Sequence, residues 1–106
     1  MKDDKLFFFK IAVILVLKQL RALKDVTQAN VNTDLSDRFG FSHNMGRNEL
    51  DANFTLETLF LYCRYFNITE PEFFSLVNNI TEEQVLEFLR IRQERRDKRN
   101  AKKQGL

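Results

Sequence analysis

The sequence predicts an all-α fold. Its 106 residues include only three glycines and one proline, which leaves few tight turns to join β-strands. Apolar residues recur instead at the spacing of one helical face, as in Leu56, Leu59, Phe60 and Cys63. Segments typical of helix ends separate these runs; Thr69–Glu72, for example, forms a capping box with proline in the first turn. Eleven phenylalanines supply apolar surface for one core.

The first helix is expected from about Leu6 to Lys24, and its N-terminal half is apolar on nearly every side. Such a helix needs two packing partners. One is the domain's own core, and the other is most simply a second copy of the chain. The alternative is that the sixth helix folds back over this surface. The residues assigned to the homodimer interface are Phe7, Phe8, Ile11, Ile14 and Leu15.

The second and third helices are expected to be short and connected by a loop. Thr27 can cap a helix over Gln28–Phe39, and Gly40 can end it. Ser42 can cap a third helix over His43–Leu50, most of whose residues are polar. Such a helix can pack only lightly on the core, so it is expected to present a polar surface to solvent or to a ligand.

Three further helices follow in the second half of the chain. The fourth is expected over Leu56–Phe66 and the fifth over Pro71–Asn78. Thr81–Gln84 forms another capping box and opens a sixth helix. Because Arg92–Asn100 contains no large apolar residue, this helix is expected to project into solvent and fray beyond Ile91. The expected division is a helical domain over residues 1–80 and a basic C-terminal helix or tail over residues 81–106.

The residue inventory argues against an enzyme, a metal site or a cofactor. The chain has one histidine and one cysteine, and it contains neither a Gly-rich phosphate loop nor a cluster with metal-ligand spacing. Cys63 lies on an apolar helical face and is expected to be a small buried residue; a single thiol suits a reducing cytoplasm.

A membrane partner is not expected either. The apolar run Leu6–Leu17 contains Lys10 and is too short to span a bilayer as a helix. It resembles the apolar core of a signal peptide, but no small-x-small cleavage site follows it. The sequence therefore predicts a cytoplasmic protein.

The charges are unevenly distributed along the chain. Residues 1–26 carry six Lys/Arg and three Asp, residues 27–86 have a net charge of −6, and residues 87–106 have a net charge of +5. The acidic middle is unfavourable for binding nucleic acid, whereas both basic ends favour it.

Four segments, each with its own arrangement of apolar and polar residues, follow one another along the chain: Leu17–Gln28, Met45–Glu49, Phe54–Leu59 and Tyr65–Phe74. The first has Leu-Arg followed by Thr-Gln, and the second has an apolar residue followed by x-Arg-x-Glu. Together these segments resemble the Cro/repressor-type helix-turn-helix proteins of the XRE family. The resemblance implies a five-helix repressor-like domain, here with an additional C-terminal basic helix, that binds double-stranded DNA and regulates transcription as a homodimer.

The resemblance also implies roles for individual residues. Arg21 and Glu49 match a buried salt bridge between the first helix and the end of the recognition helix. Gln28 matches a residue that contacts a phosphate and steadies that helix. The residues expected to face the major groove are His43, Asn44 and Arg47, and those left for backbone contacts are Lys18, Lys24, Arg38 and the basic tail.

The segment between Gln28 and Glu49 is about three residues longer than the tight helix-turn-helix geometry. A second alignment, with Asp34–Ser42 as the second helix and turn, abandons Thr27 and Gln28, so the first alignment is preferred. The longer turn and the acidic middle also support an alternative function. In that alternative, the same fold is a protein-interaction or dimerisation module with a weakened DNA-binding face, and its partner is itself or another protein.

Overall fold

The computed structural model describes residues 4–40 and 44–103, and within these ranges all regular structure is helical. The six helices are α1 (Asp4–Lys24), α2 (Gln28–Phe39), α3 (Met45–Asp51), α4 (Leu56–Phe66), α5 (Glu70–Asn78) and α6 (Glu82–Lys103). The prediction of an all-α fold is confirmed. None of these helices is long and apolar enough to cross a membrane.

Threonine caps set the starts of several helices. The Thr27 hydroxyl accepts a hydrogen bond from the backbone N–H of Asn30 in α2, and the side-chain oxygen of Asn30 accepts one from the backbone N–H of Thr27. Thr69 and Glu72 form the same reciprocal pair at α5. Gly40 ends α2 with φ +74°, a left-handed conformation that glycine adopts without strain. Because α2 begins at Gln28, its bounds agree with the preferred alignment and not with the one that starts at Asp34.

The third helix begins later than the sequence predicts. Asn44 is its N-cap, and the Asn44 Oδ1 atom accepts the backbone N–H of Arg47 at 2.9 Å. The helix therefore starts at Met45, and the predicted start at His43 is wrong. An asparagine amide is among the best N-cap acceptors, which accounts for this boundary. The predicted cap Ser42 lies outside the described residues, as does His43.

The core is built around α1, which packs against α5 on one side and α6 on another. Ile11 and Ile14 are 0% and 2% exposed, so neither remains available for the homodimer interface to which the sequence assigned them. The reason is that α5 and α6 of the same chain pack against α1. The packing of α6 is the alternative considered above, and α5 was not part of it. Phe8 and Leu15 are half-buried against the same core, and Phe7 remains 49% exposed.

The sixth helix docks with its first half only. Val85 is buried, and Phe88 and Leu89 pack at the edge of the core. Beyond Ile91 the helix continues to Lys103 with nearly all side chains exposed. Arg92 and Ala101 are the exceptions among the described residues of this part. The Arg92 guanidinium donates to the backbone carbonyl of Leu50 on α3 at 3.2 Å. This contact joins α6 to the C-terminal part of α3.

Candidate nucleic-acid interface

The N-terminal end of α3 is fixed against α2. The backbone N–H of Met45 donates to Asn32 Oδ1 at 2.7 Å, and the Met45 side chain is fully buried. One residue further, a Cβ atom added to Gly46 would lie 3.3 Å from Gln28 Oε1. Residue 46 therefore lies close enough to the Gln28 carboxamide to favour glycine, and the two helices are in direct contact there.

A buried charge network ties α3 to α1 and α2. Glu49 is 6% exposed, and both of its carboxylate oxygens accept from the Arg21 guanidinium. Gln28 Nε2 donates to Glu49 Oε1 at 3.1 Å. The ion pair that the family resemblance implied between Arg21 and Glu49 is thus present, and Gln28 joins it. The network fixes the rotation of α3 about its own axis, and with it the direction of the exposed α3 side chains.

A second contact seats α3 on α4. Asn48 is half-buried on α3, and its Nδ2 donates to the hydroxyl of Tyr62 at 3.2 Å. Tyr62 is fully buried, and burial raises the pKa of its phenol to about 12. The neutral Tyr62 hydroxyl therefore accepts a hydrogen bond from the Asn48 side-chain amide, so this amide has a partner where α3 packs on α4.

We expect Tyr62 to make the free energy of unfolding depend on alkaline pH. Tyrosine in an unfolded chain ionises near pH 10, whereas the folded pKa of Tyr62 is about 12. The contribution of Tyr62 is therefore complete below about pH 10 and is lost as the pH rises towards about 12. Urea unfolding across this range measures it, and Tyr62→Phe is expected to flatten the decline.

Tyr65 is the internal reference for that experiment, because burial and its hydrogen bond to Asp34 also raise its pKa to about 12. It remains in the Tyr62→Phe variant, so the difference between the two proteins reports Tyr62 alone. Identical declines in the two proteins would show that Tyr62 ionises in the folded state as it does when unfolded. At neutral pH the variant is expected to lose about 1 kcal/mol, since Asn48 loses an acceptor.

A cleft of about 360 Å³ runs between α1, α3 and α6 beside this network. Its lining residues are Ile14, Lys18, Arg21, Gln28, Gly46, Glu49, Leu50, Phe88, Arg92 and Arg95. Four of these side chains are cationic and one is a carboxylate. The first helix and the basic sixth helix, which are far apart in the sequence, thus bring positive charge to the side of α3.

The residues that the sequence assigned to phosphate contacts fall into two groups. Lys18 lines the cleft beside α3. Lys24 and Arg38 do not line it; both lie over the ring of Tyr65, with 4.9 Å from Lys24 Nζ and 5.4 Å from Arg38 Cζ to the ring centroid. The structure therefore places only Lys18 of these three next to the Gln28–Glu49 network.

The residues assigned to base contacts also differ in their placement. Arg47 is exposed on α3. Asn44 is exposed too, but its amide oxygen is engaged as the N-cap, so only its N–H₂ group is left to donate. His43 lies outside the described residues. Arg47 is thus the base-reading candidate whose charged group extends from α3 into solvent.

Sequence reasoning missed several residues that shape this surface. Asn32 and Tyr62 hold α3 by single hydrogen bonds between distant segments, and no periodicity or motif marks such pairs. Arg92 and Arg95 belong to a basic run that the sequence displays plainly. Their proximity to α3 depends on the angle at which α6 crosses α1, and the helical spacing of the run gives no access to that angle.

No cluster of three or more His, Cys, Asp or Glu residues that could hold a metal ion occurs in residues 4–40 and 44–103. Cys63 is buried, and that burial raises the pKa of its thiol, which fits a packing role. No known protein family, curated protein or solved structure matches the chain.

Proposed function

We propose that the protein is a sequence-specific, double-stranded-DNA-binding transcriptional regulator. In this proposal α1–α5 form a repressor-like arrangement, α2 and α3 are its helix-turn-helix, and α3 enters the major groove. The observation that carries the proposal is the network of Arg21, Gln28 and Glu49. The network binds Glu49 on the inner face of α3, and the outer face of the same helix carries the exposed Arg47.

The chemistry of Arg47 suits base recognition. A guanidinium can donate two hydrogen bonds to O6 and N7 of guanine, the commonest specific contact in the major groove. Arg47 has no ion-pair partner within the described residues. Its charge is therefore available to a ligand, and the capped first turn of α3 limits the directions in which it can extend.

The distribution of charge in the fold also supports DNA binding. The acidic middle of the sequence opposes association with phosphates, but one of its carboxylates is engaged in a buried ion pair within the protein. Glu49 pairs with Arg21, a residue of α1 that lies outside the acidic segment. Meanwhile the two basic ends meet beside α3, through Lys18 from one end and Arg92 and Arg95 from the other. A regulator of this kind would act in the cytoplasm, where the Cys63 thiol stays reduced.

We expect Arg47→Ala to relax sequence preference. Selection from a pool of random duplexes should enrich one motif with the native protein. The variant should lose about 1–3 kcal/mol of discrimination at one base position. Arg64→Ala is the matched control, because Arg64 is an exposed arginine paired with Glu70 away from α3. It should retain the native motif.

Two results would contradict the proposal. The first is that no motif is enriched by the native protein at either low or high salt. The second is a motif that Arg47→Ala and Arg64→Ala both leave unchanged, which would exclude Arg47 as a base-reading residue.

The second candidate function is a protein-interaction or dimerisation module with a weakened DNA-binding face, and an apolar groove supports it. An apolar groove of about 210 Å³ lies between the start of α1 and the α3–α4 connection, lined by Leu6, Phe9, Lys10, Val13, Ala52, Asn53, Phe54 and Leu59. Leu6 and Phe9 are 51% and 41% exposed in this groove, so a second copy of the chain that packed there would bury apolar surface. It favours a homodimer, which a DNA-binding regulator and a pure dimerisation module would share.

A further inference from the structure

The cleft between α1, α3 and α6 holds positive charge that the protein itself does not neutralise. Lys18, Arg92 and Arg95 line it, and none of them has a carboxylate within ion-pair distance among the described residues. The cleft's one carboxylate, Glu49, is already bound by Arg21 and Gln28. Three cationic groups in one concave site repel each other, and an anion placed among them would remove that repulsion.

The phenyl ring of Phe88 holds two of these cations in place. The Lys18 ammonium lies 5.2 Å from the ring centroid and the Arg92 guanidinium lies 5.5 Å from it. Arg92 is further oriented by its hydrogen bond to the carbonyl of Leu50. An aromatic ring and a backbone carbonyl position a cation without cancelling its charge. The site is therefore partly organised before any ligand binds.

The shape of the charged surface indicates a polymer and not a free anion. From the cleft, basic residues continue along α6 at spacings of three and four: Arg92, Arg95, Arg99 and Lys102 or Lys103. The basic side chains of this stripe beyond Arg92 are exposed. A single small anion would occupy only the cleft and would leave this stripe unused, whereas a phosphodiester backbone could follow it.

We propose that this cleft binds a backbone phosphate of duplex DNA, with Lys18, Arg92 and Arg95 as its ligands and the basic stripe of α6 against the phosphates that follow. The inference rests on the proposed function, because it places DNA on α3. It adds that α6 is a second, sequence-independent binding element beside the recognition helix. The guanidinium groups can donate paired hydrogen bonds to phosphate oxygens, and Lys18 adds a point charge.

Two charge-matched double variants test this site. Lys18→Gln/Arg95→Gln removes two cations from the cleft. Arg64→Gln/Arg90→Gln removes two cations that are paired on the surface with Glu70 and with Glu87 and Glu94. Fluorescence anisotropy with one random-sequence duplex, between about 50 and 200 mM salt, gives the slope of log K against log salt concentration for each protein.

The cleft variant is expected to bind about tenfold more weakly than the native protein and to reduce the slope by about one. The surface variant is expected to keep the native slope. Equal slopes for the two variants would overturn the proposal, because total charge alone would then explain the binding. Thermal unfolding of both variants should match the native protein, which excludes loss of the fold as the cause.

Competition distinguishes the source of the phosphate. Inorganic pyrophosphate should displace the duplex only weakly; if it fills the cleft tightly while the duplex does not bind, the site serves a free anion and the proposal is wrong. The duplex used here has random sequence, so the result is independent of Arg47. Salt-dependent binding that needs the cleft but has no enriched motif would refute the proposed function alone. An enriched motif with a native slope in the cleft variant would refute this inference alone.

Discussion

Glu49→Ala is expected to lower the free energy of unfolding by about 3–5 kcal/mol. The alanine leaves the Arg21 guanidinium, whose side chain is 11% exposed, without its carboxylate in a largely dry site. It also removes the acceptor of Gln28 Nε2. The cost is mainly that of an uncompensated buried charge, and urea unfolding at neutral pH measures it.

Two comparisons isolate that cause. Glu70→Ala removes one member of the Arg64–Glu70 pair, whose side chains are more than 40% exposed, and should cost at most about 1 kcal/mol. The double variant Arg21→Met/Glu49→Leu removes both buried charges and should recover most of the loss, because apolar side chains can fill the space. If Glu49→Ala costs no more than Glu70→Ala, the network does not hold α3.

DNA binding by the double variant Arg21→Met/Glu49→Leu tests whether the ion pair serves recognition as well as stability. The double variant is expected to fold but to bind its motif more weakly, because Gln28 no longer has Glu49 to orient it and α3 can rotate. A folded double variant with native sequence preference would mean that packing of Met45 alone sets the direction of Arg47. The ion pair would then serve the stability of the fold only.

Much of the helical framework follows from local sequence rules. The bounds of α2 and α4 agree with the prediction to the residue, because caps at Thr27 and Thr55 and left-handed residues at Gly40 and Asn67 are encoded locally. The start of α3 was missed because Ser42 and Asn44, two positions apart, are both good cap residues, and the sequence alone does not rank them.

The assignment of Ile11 and Ile14 failed for a different reason. The pattern of α1 correctly indicated two apolar faces that both need cover. Whether a second chain or the same chain provides that cover depends on where α5 and α6 return in space. Helical periodicity describes one element at a time, so it cannot settle the partner of a face.

The candidate site likewise has one part that the sequence indicated and one part that it did not. Arg21, Glu49 and Gln28 were named through a family resemblance, in which spacing along the chain stands for proximity in space. Arg92, Arg95 and Phe88 belong to α6, which the resemblance does not cover. Their arrangement around Lys18 depends on the crossing of α1 and α6. Additional helices therefore carry the part of a site that motif reasoning is least able to find.

Leu6→Asp is expected to convert a homodimer to a monomer. Leu6 is 51% exposed and lines the apolar groove, so a second copy that covers the groove would remove an introduced carboxylate from water. The fold should tolerate the change, because the residue lies in the first turn of α1, where negative charge suits the helix dipole. Sedimentation equilibrium measures the mass.

Leu23→Asp is the control, since Leu23 is 84% exposed and lies 17 residues beyond Leu6 on the same helix. At a rise of about 1.5 Å per residue, that places Leu23 far from the groove. It should remain dimeric. A native protein that is monomeric at all concentrations, or a Leu6→Asp variant that stays dimeric, would show that the groove is not the interface.

Loss of the dimer is expected to have its largest effect on the affinity for DNA. Two recognition helices on one dimer bind a two-fold site with an effective concentration that one helix lacks, so Leu6→Asp is expected to weaken binding to the two-fold site by a factor of about 10² or more. Binding to an isolated half-site should be unchanged, because Arg47 and the α6 cleft are intact. A dimer that disappears in Leu6→Asp while neither protein binds any duplex would instead identify the chain as the interaction module. The exposed apolar groove would then be its functional surface, and the cationic cleft would have to serve another anion.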